Sequence, residues 1–155
     1  MDSTSARAGQ GTASASRNLW IGASLAVFVA VVLSFGVIPT VKADLIFHAT
    51  PKKAALVLWF VTVINLALAV LLSWAAMQAT QSRPAARRLL GWWGIASLLL
   101  AFLLVDPAFA YFEHDTTAMK RAGILLLLCA VAELLGAGLA LFTRARKSGA
   151  QSMPP

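Results

Sequence analysis

Four long apolar runs, separated by short polar connectors, account for most of the chain. Leu19–Ile38, Ala54–Met77, Leu89–Val105 and Ala122–Phe142 each carry almost no charge. About 20 apolar residues in helical form cross the ~30 Å hydrocarbon core of a bilayer, so each run predicts a membrane-spanning helix. The expected fold is an all-α membrane protein, a bundle of four transmembrane helices (spans 19–38, 54–77, 89–105 and 122–142). Pro39 is expected to stop the first span, and Asp106-Pro107 to follow the third.

The stretches outside the spans differ in character. Residues 1–18 (MDSTSARAGQGTASASRN) are small and polar with no hydrophobic period, which predicts a disordered tail. Residues 143–155 form a second, basic tail. Arg17 before an apolar run, with Val41-Lys42-Ala43 after it, is similar to a secretion signal. The run exceeds the ~7–15 apolar residues of such signals and three more spans follow, so it is read as a retained helix.

Composition agrees with the membrane reading. Of 155 residues, 59% are hydrophobic and only 12% charged, too apolar for an ordinary soluble fold. The net charge of +7 does not form one patch. Its basic residues flank the spans, where they meet lipid headgroups, so lipid is an expected partner and nucleic acid is not. With one cysteine, Cys129, the chain has no internal disulfide and no cysteine-based metal cluster.

Four spans place both tails on one side. The tails and the second connector carry Arg7, Arg17, Arg83, Arg87, Arg88, Arg144, Arg146 and Lys147. The other side carries Lys42, Lys52, Lys53, Lys120 and Arg121. Eight against five places the termini in the cytoplasm, since orientation follows the Lys/Arg bias. The expected location is a bacterial cytoplasmic membrane. Trp20, Trp74, Trp92 and Trp93 fall near the same interface, where amphipathic rings settle.

A shift of 68 positions superimposes the two halves in part. Pro39 meets Pro107, Lys52-Lys53-Ala54 meets Lys120-Arg121-Ala122, and Leu58, Val63, Leu66, Ala69 and Leu71 meet identical residues. The halves are therefore candidate parallel hairpin repeats. The alternative stays open, since any two helical hairpins share a proline exit and a basic return. The same shift pairs Asn65 with Glu133, which predicts similar depth for both.

Glu133 is the one acid inside the spans, and a charge at mid-bilayer is costly unless it is paired or functional. Protonated, it can donate one hydrogen bond and accept others, which suits the Asn65 amide. The stripe Thr62, Asn65, Ala69, Ser73 and the stripe Cys129, Glu133, Gly136, Ala140 keep helical spacing, so both are expected inside the bundle. Gly22, Ala26, Ala30 and Ser34, and likewise Ala132, Gly136 and Ala140, recur every fourth residue as small packing faces. Such faces serve within the bundle, against a protein partner or in a homo-oligomer.

Chemistry has few other carriers. His48 and His114 lie in the outer connectors, the latter between Glu113 and Asp115. Imidazole and carboxylate can ligate a divalent metal, but no helical metal-ligand spacing is present. Leu45-Ile46-Phe47 and Ala108–Phe112 suit interfacial anchoring or a lid over the bundle. No phosphate-binding glycine loop, nucleophile elbow or metalloprotease motif occurs, and no cofactor is expected. The leading expectation is a non-enzymatic accessory or scaffold subunit of a membrane complex. The alternatives are a small proton- or cation-coupled transporter using Glu133 and Asn65, and a membrane redox or metal-dependent enzyme subunit using His48 and His114.

Overall fold

The computed structural model describes residues 3–47, 52–79, 84–113 and 116–150, nearly all helical. Helix α1 (Ser3–Val31) passes through a π-helical turn (Val32–Val37) into α2 (Ile38–Phe47) without a break. Helices α3 (Lys52–Ala79), α4 (Pro84–Phe112) and α5 (Thr117–Ala150) follow. Four segments have the length and apolarity to cross a membrane: Ser16–Ala43, Ala55–Gln78, Arg88–Phe112 and Thr117–Phe142. The chain is a four-helix membrane protein.

Pro39 and Pro107 lie within helix, where the sequence places the ends of spans. A proline removes one helical donor and crowds the carbonyl four residues back. Before Pro39 the helix widens: the Ile38 N–H donates to the Leu33 carbonyl, five residues back. One turn of π geometry relieves the crowding, and the Thr40 hydroxyl donates to the Gly36 carbonyl at 3.0 Å. Pro107 lies inside α4, which continues to Phe112. Membrane helices tolerate such prolines because neighbours and local adjustments satisfy the freed carbonyls. The stretches 45–47 and 108–112 therefore extend the rods, and Ala108 and Tyr111 face the interior. At the other end α1 begins at Ser3, inside the segment that composition reads as a tail. Pro84 opens α4, where its missing N–H costs nothing.

The main pairings are α1 with α3 and α4 with α5, with α1–α5 and α3–α4 as the other sides of a square. Neighbours run antiparallel. The Ser16 hydroxyl on α1 donates to the Ala76 carbonyl on α3 at the end bearing the termini. Lys42 lies 5.2 Å from the centre of the Trp59 ring at the opposite end. Phe35, Leu56, Phe60, Val70, Leu99, Phe102 and Phe142 point outward as an apolar girdle suited to lipid. Trp20, Trp74 and Trp92 join that exterior, whereas Trp93, expected at the interface, turns inward and is buried.

The two hairpins share a burial pattern, but in two registers. Each buried residue of α3 from Leu58 to Leu72 has a buried counterpart sixty-eight positions on in α5. From Leu19 to Val37 the buried residues of the first rod match those of α4 at seventy-one positions, Leu90 to Ala108. Pro39 and Pro107 are thus not equivalent; Pro107 matches Gly36. A shift of three residues is almost one helical turn, so a hydrophobic stripe looks alike in both registers.

A tight spot is forgiving where its neighbour is flexible. A Cβ on Gly36 would lie 2.8 Å from Leu125 Cδ1, the far end of a mobile side chain. Gly36→Ala is expected to cost less than ~1 kcal/mol, because Leu125 can rotate and alanine favours helix. Denaturant titration in detergent checks this, and a loss as large as that of a core truncation would contradict it.

Candidate functional site

Apolar packing fills both halves of the interior but is interrupted near the middle. The cluster around Val29, Leu33, Val61, Leu100, Leu104, Leu126 and Cys129 occupies the half away from the termini. A second, built on Leu19, Ala23, Leu72, Ala76, Leu90, Trp93 and Ala140, occupies the half near them. Between them lies one layer with a residue from each corner of the square: Ala26 on α1, Asn65 on α3, Ser97 on α4 and Glu133 on α5. In the shared burial pattern Ala26 corresponds to Ser97 and Asn65 to Glu133.

Three of these four residues are polar. Asn65 is 0%, Ser97 1% and Glu133 4% exposed. Helical spacing brings them inward: Asn65 is two turns beyond Leu58 and one beyond Val61, and Glu133 one turn beyond Cys129 and Ala130, on the faces that point away from lipid. The Asn65 Nδ2 donates to the Val61 carbonyl at 3.1 Å. Thr62, beside it, donates its hydroxyl to the Leu58 carbonyl at 2.8 Å.

Both Ser97 and Asn65 lie near enough to act on the Glu133 carboxyl. Full hydrogen-bond geometry, however, is not met. Asn65 Oδ1, Ser97 Oγ and Glu133 Oε1 are all buried with no hydrogen-bond partner of adequate geometry. An unmet buried group costs its desolvation in full, so these three oxygens are the chemically expectant atoms of this layer.

The floor of this layer is a single ring. Trp93, one turn along α4 from Ser97, crosses the bundle toward α1. A Cβ on Gly22 would lie 2.7 Å from its Cη2 and Cζ2, and one on Gly136 would lie 2.9 Å from Cζ2. Two of the small packing residues therefore hold an indole rather than a facing helix backbone. Ala26, Ala30, Ala132 and Ala140 are buried as well, and Ser34 is partly buried.

Ser97 was not singled out among the sequence candidates. Its signal was a hydroxyl among Ile95, Leu98, Leu99 and Leu100, on the face shared with Gly94 and Ala101. His48, His114 and Asp115 lie outside the described residues, and Glu113 is exposed at the end of α4. Among the described residues no three His, Cys, Asp or Glu side chains are grouped to hold a metal ion. Comparison of the chain with models of known families, with curated proteins and with solved structures returns no match.

Proposed function

We propose that the chain is a non-enzymatic accessory or scaffold subunit of a membrane complex. The observation that carries this reading is the placement of the polar layer. Its side chains turn toward one another between two apolar clusters, and Trp93 in its glycine seat covers one side. Polar groups so placed tie helices together, and such ties are modest individually, averaging ~0.6 kcal/mol in membranes. The outward girdle of Phe, Leu, Val and Trp then meets lipid or the apolar helices of a partner.

The eight-to-five distribution of basic residues supports both termini in the cytoplasm of a bacterial membrane. Purification of the full chain in mild detergent, with quantitative mass spectrometry and a reciprocal tag on any co-purifying protein, tests the proposal. A stoichiometric partner recovered from both tags is expected. A chain that purifies alone and moves ions in proteoliposomes would replace it.

One observation favours a second reading, transport coupled to a proton or cation. Three unpaired oxygens converge at the middle of the spans, where intramembrane ionisable groups commonly mark ion pathways. Flux into proteoliposomes that disappears in Glu133→Gln would select transport. Equal flux in the variant and the wild type would dismiss it.

A further inference from the structure

We propose that Asn65, Ser97 and Glu133 form a site for one proton, which joins α3, α4 and α5 at the centre of the bundle. The inference goes beyond the scaffold reading and does not depend on it. It follows from counting donors and acceptors in the layer.

The Asn65 amide nitrogen gives one of its two N–H groups to the Val61 carbonyl, so this residue brings one further N–H and the acceptor Oδ1. Thr62 spends its hydroxyl proton on Leu58 and brings no donor. Ser97 supplies one O–H. An ionised Glu133 adds two acceptor oxygens. Two donors, this O–H and the second Asn65 N–H, then face three acceptor oxygens, so Asn65 Oδ1 is left with nothing to receive and the negative charge is uncompensated.

Nor does a counter-charge stand nearby. On the elements packed around Glu133, the described charged groups are Arg17 and Lys42 on the first rod, Arg88, Asp106 and Glu113 at or beyond the ends of α4, and Lys120 and Arg121 on α5; all are exposed. The described part of α3 presents no charged side chain to the interior. Among the described residues the other titratable groups inside are Cys129, one turn away on the same helix, and Tyr111 toward the far end of α4. A lone buried carboxylate is among the costliest arrangements a protein can hold.

One proton completes the set. Glu133 O–H donates to Asn65 Oδ1, and Ser97 O–H donates to the other carboxyl oxygen. The three oxygens of the layer that lack partners are the three this arrangement satisfies. A metal cation is a poor substitute, because hard cations such as magnesium and calcium take about six or more oxygen ligands and the three side chains offer only four.

The substitution Glu133→Gln separates this site from a cation site. A carboxamide repeats the hydrogen-bond pattern of the neutral acid, with Nε2 donating to Asn65 and Oε1 accepting from Ser97. The variant should therefore melt with the wild type, whereas Glu133→Leu should melt lower. Infrared spectra of the full chain in liposomes at neutral pH provide the direct readout. A protonated-carboxyl C=O band is expected, absent in Glu133→Gln and moved to higher frequency in Asn65→Leu and Ser97→Ala as each hydrogen bond is lost. Absence of the band at neutral pH would overturn the proposal, as would a band indifferent to both partner substitutions. A band erased by sodium at fixed pH would assign the site to a metal cation instead.

Discussion

Replacing Trp93 with alanine is expected to destabilise the bundle by about 3 kcal/mol, the largest effect of any single truncation of its interior. The value sits at the lower end of the range for buried aromatic residues in water-soluble proteins. Lipid tails are as apolar as a bundle interior, so the transfer term falls away and the lost packing remains. The indole is 3% exposed and rests on Gly22 and Gly136, whose hydrogens leave room for it. Its removal opens a space that neither glycine can fill.

The same geometry predicts compensation. Gly136→Ala places a methyl group 2.9 Å from a rigid ring, and Gly22→Ala one at 2.7 Å. Each should be harmful in the wild-type background, by about 1–3 kcal/mol, the usual range for overpacking. In the Trp93→Ala background either methyl enters vacated space, so the coupling should reach about 1 kcal/mol or more. Steric trapping or denaturant titration of purified protein measures all of these. Additive energies for Trp93 and Gly136 would show that the ring has no stake in the glycine.

Asn65→Leu is expected to cost more than the double substitution Asn65→Leu/Glu133→Leu. The single change strands the Glu133 O–H, which loses its acceptor, a penalty of ~1–3 kcal/mol. The double change removes both needs at once and leaves Ser97, which can turn its hydroxyl to a carbonyl of its own helix. Replacing a buried polar group together with its partner is often neutral or better. Unfolding energies for the two single variants and the double variant form the cycle that checks this. A double variant weaker than either single would mean that the two residues act separately.

The four spans were legible from run length alone, and the inward placement of Asn65 and Glu133 followed from polarity on otherwise apolar helices. Helix ends were less legible. Pro39 and Pro107 read as stops because the reasoning suits soluble proteins, whereas a π turn or a neighbouring helix absorbs a proline inside a membrane. Trp93 read as an interfacial ring because it lies, like Trp92, near the start of its span, and only the partners of a helix decide which of two adjacent residues turns inward. Ser97 was hidden for a similar reason. A serine satisfied by its own backbone and a serine facing a carboxyl look alike in a string of letters. Its match to Ala26 emerges only at seventy-one positions, not at the sixty-eight that aligns the other pair of helices.

The polar layer also partitions the molecule mechanically. Packing damage spreads through touching side chains, and across this layer few apolar chains touch; Leu68 flanks both sides. Truncations at Leu72 and Leu104, one in each half, should therefore add like events in separate proteins, within the ~0.3–0.5 kcal/mol expected of independent sites. Truncations at Leu19 and Leu72, which share a half, should not. Each half of the membrane thickness then holds a core that can drift in sequence on its own, with the layer as the shared hinge of their histories.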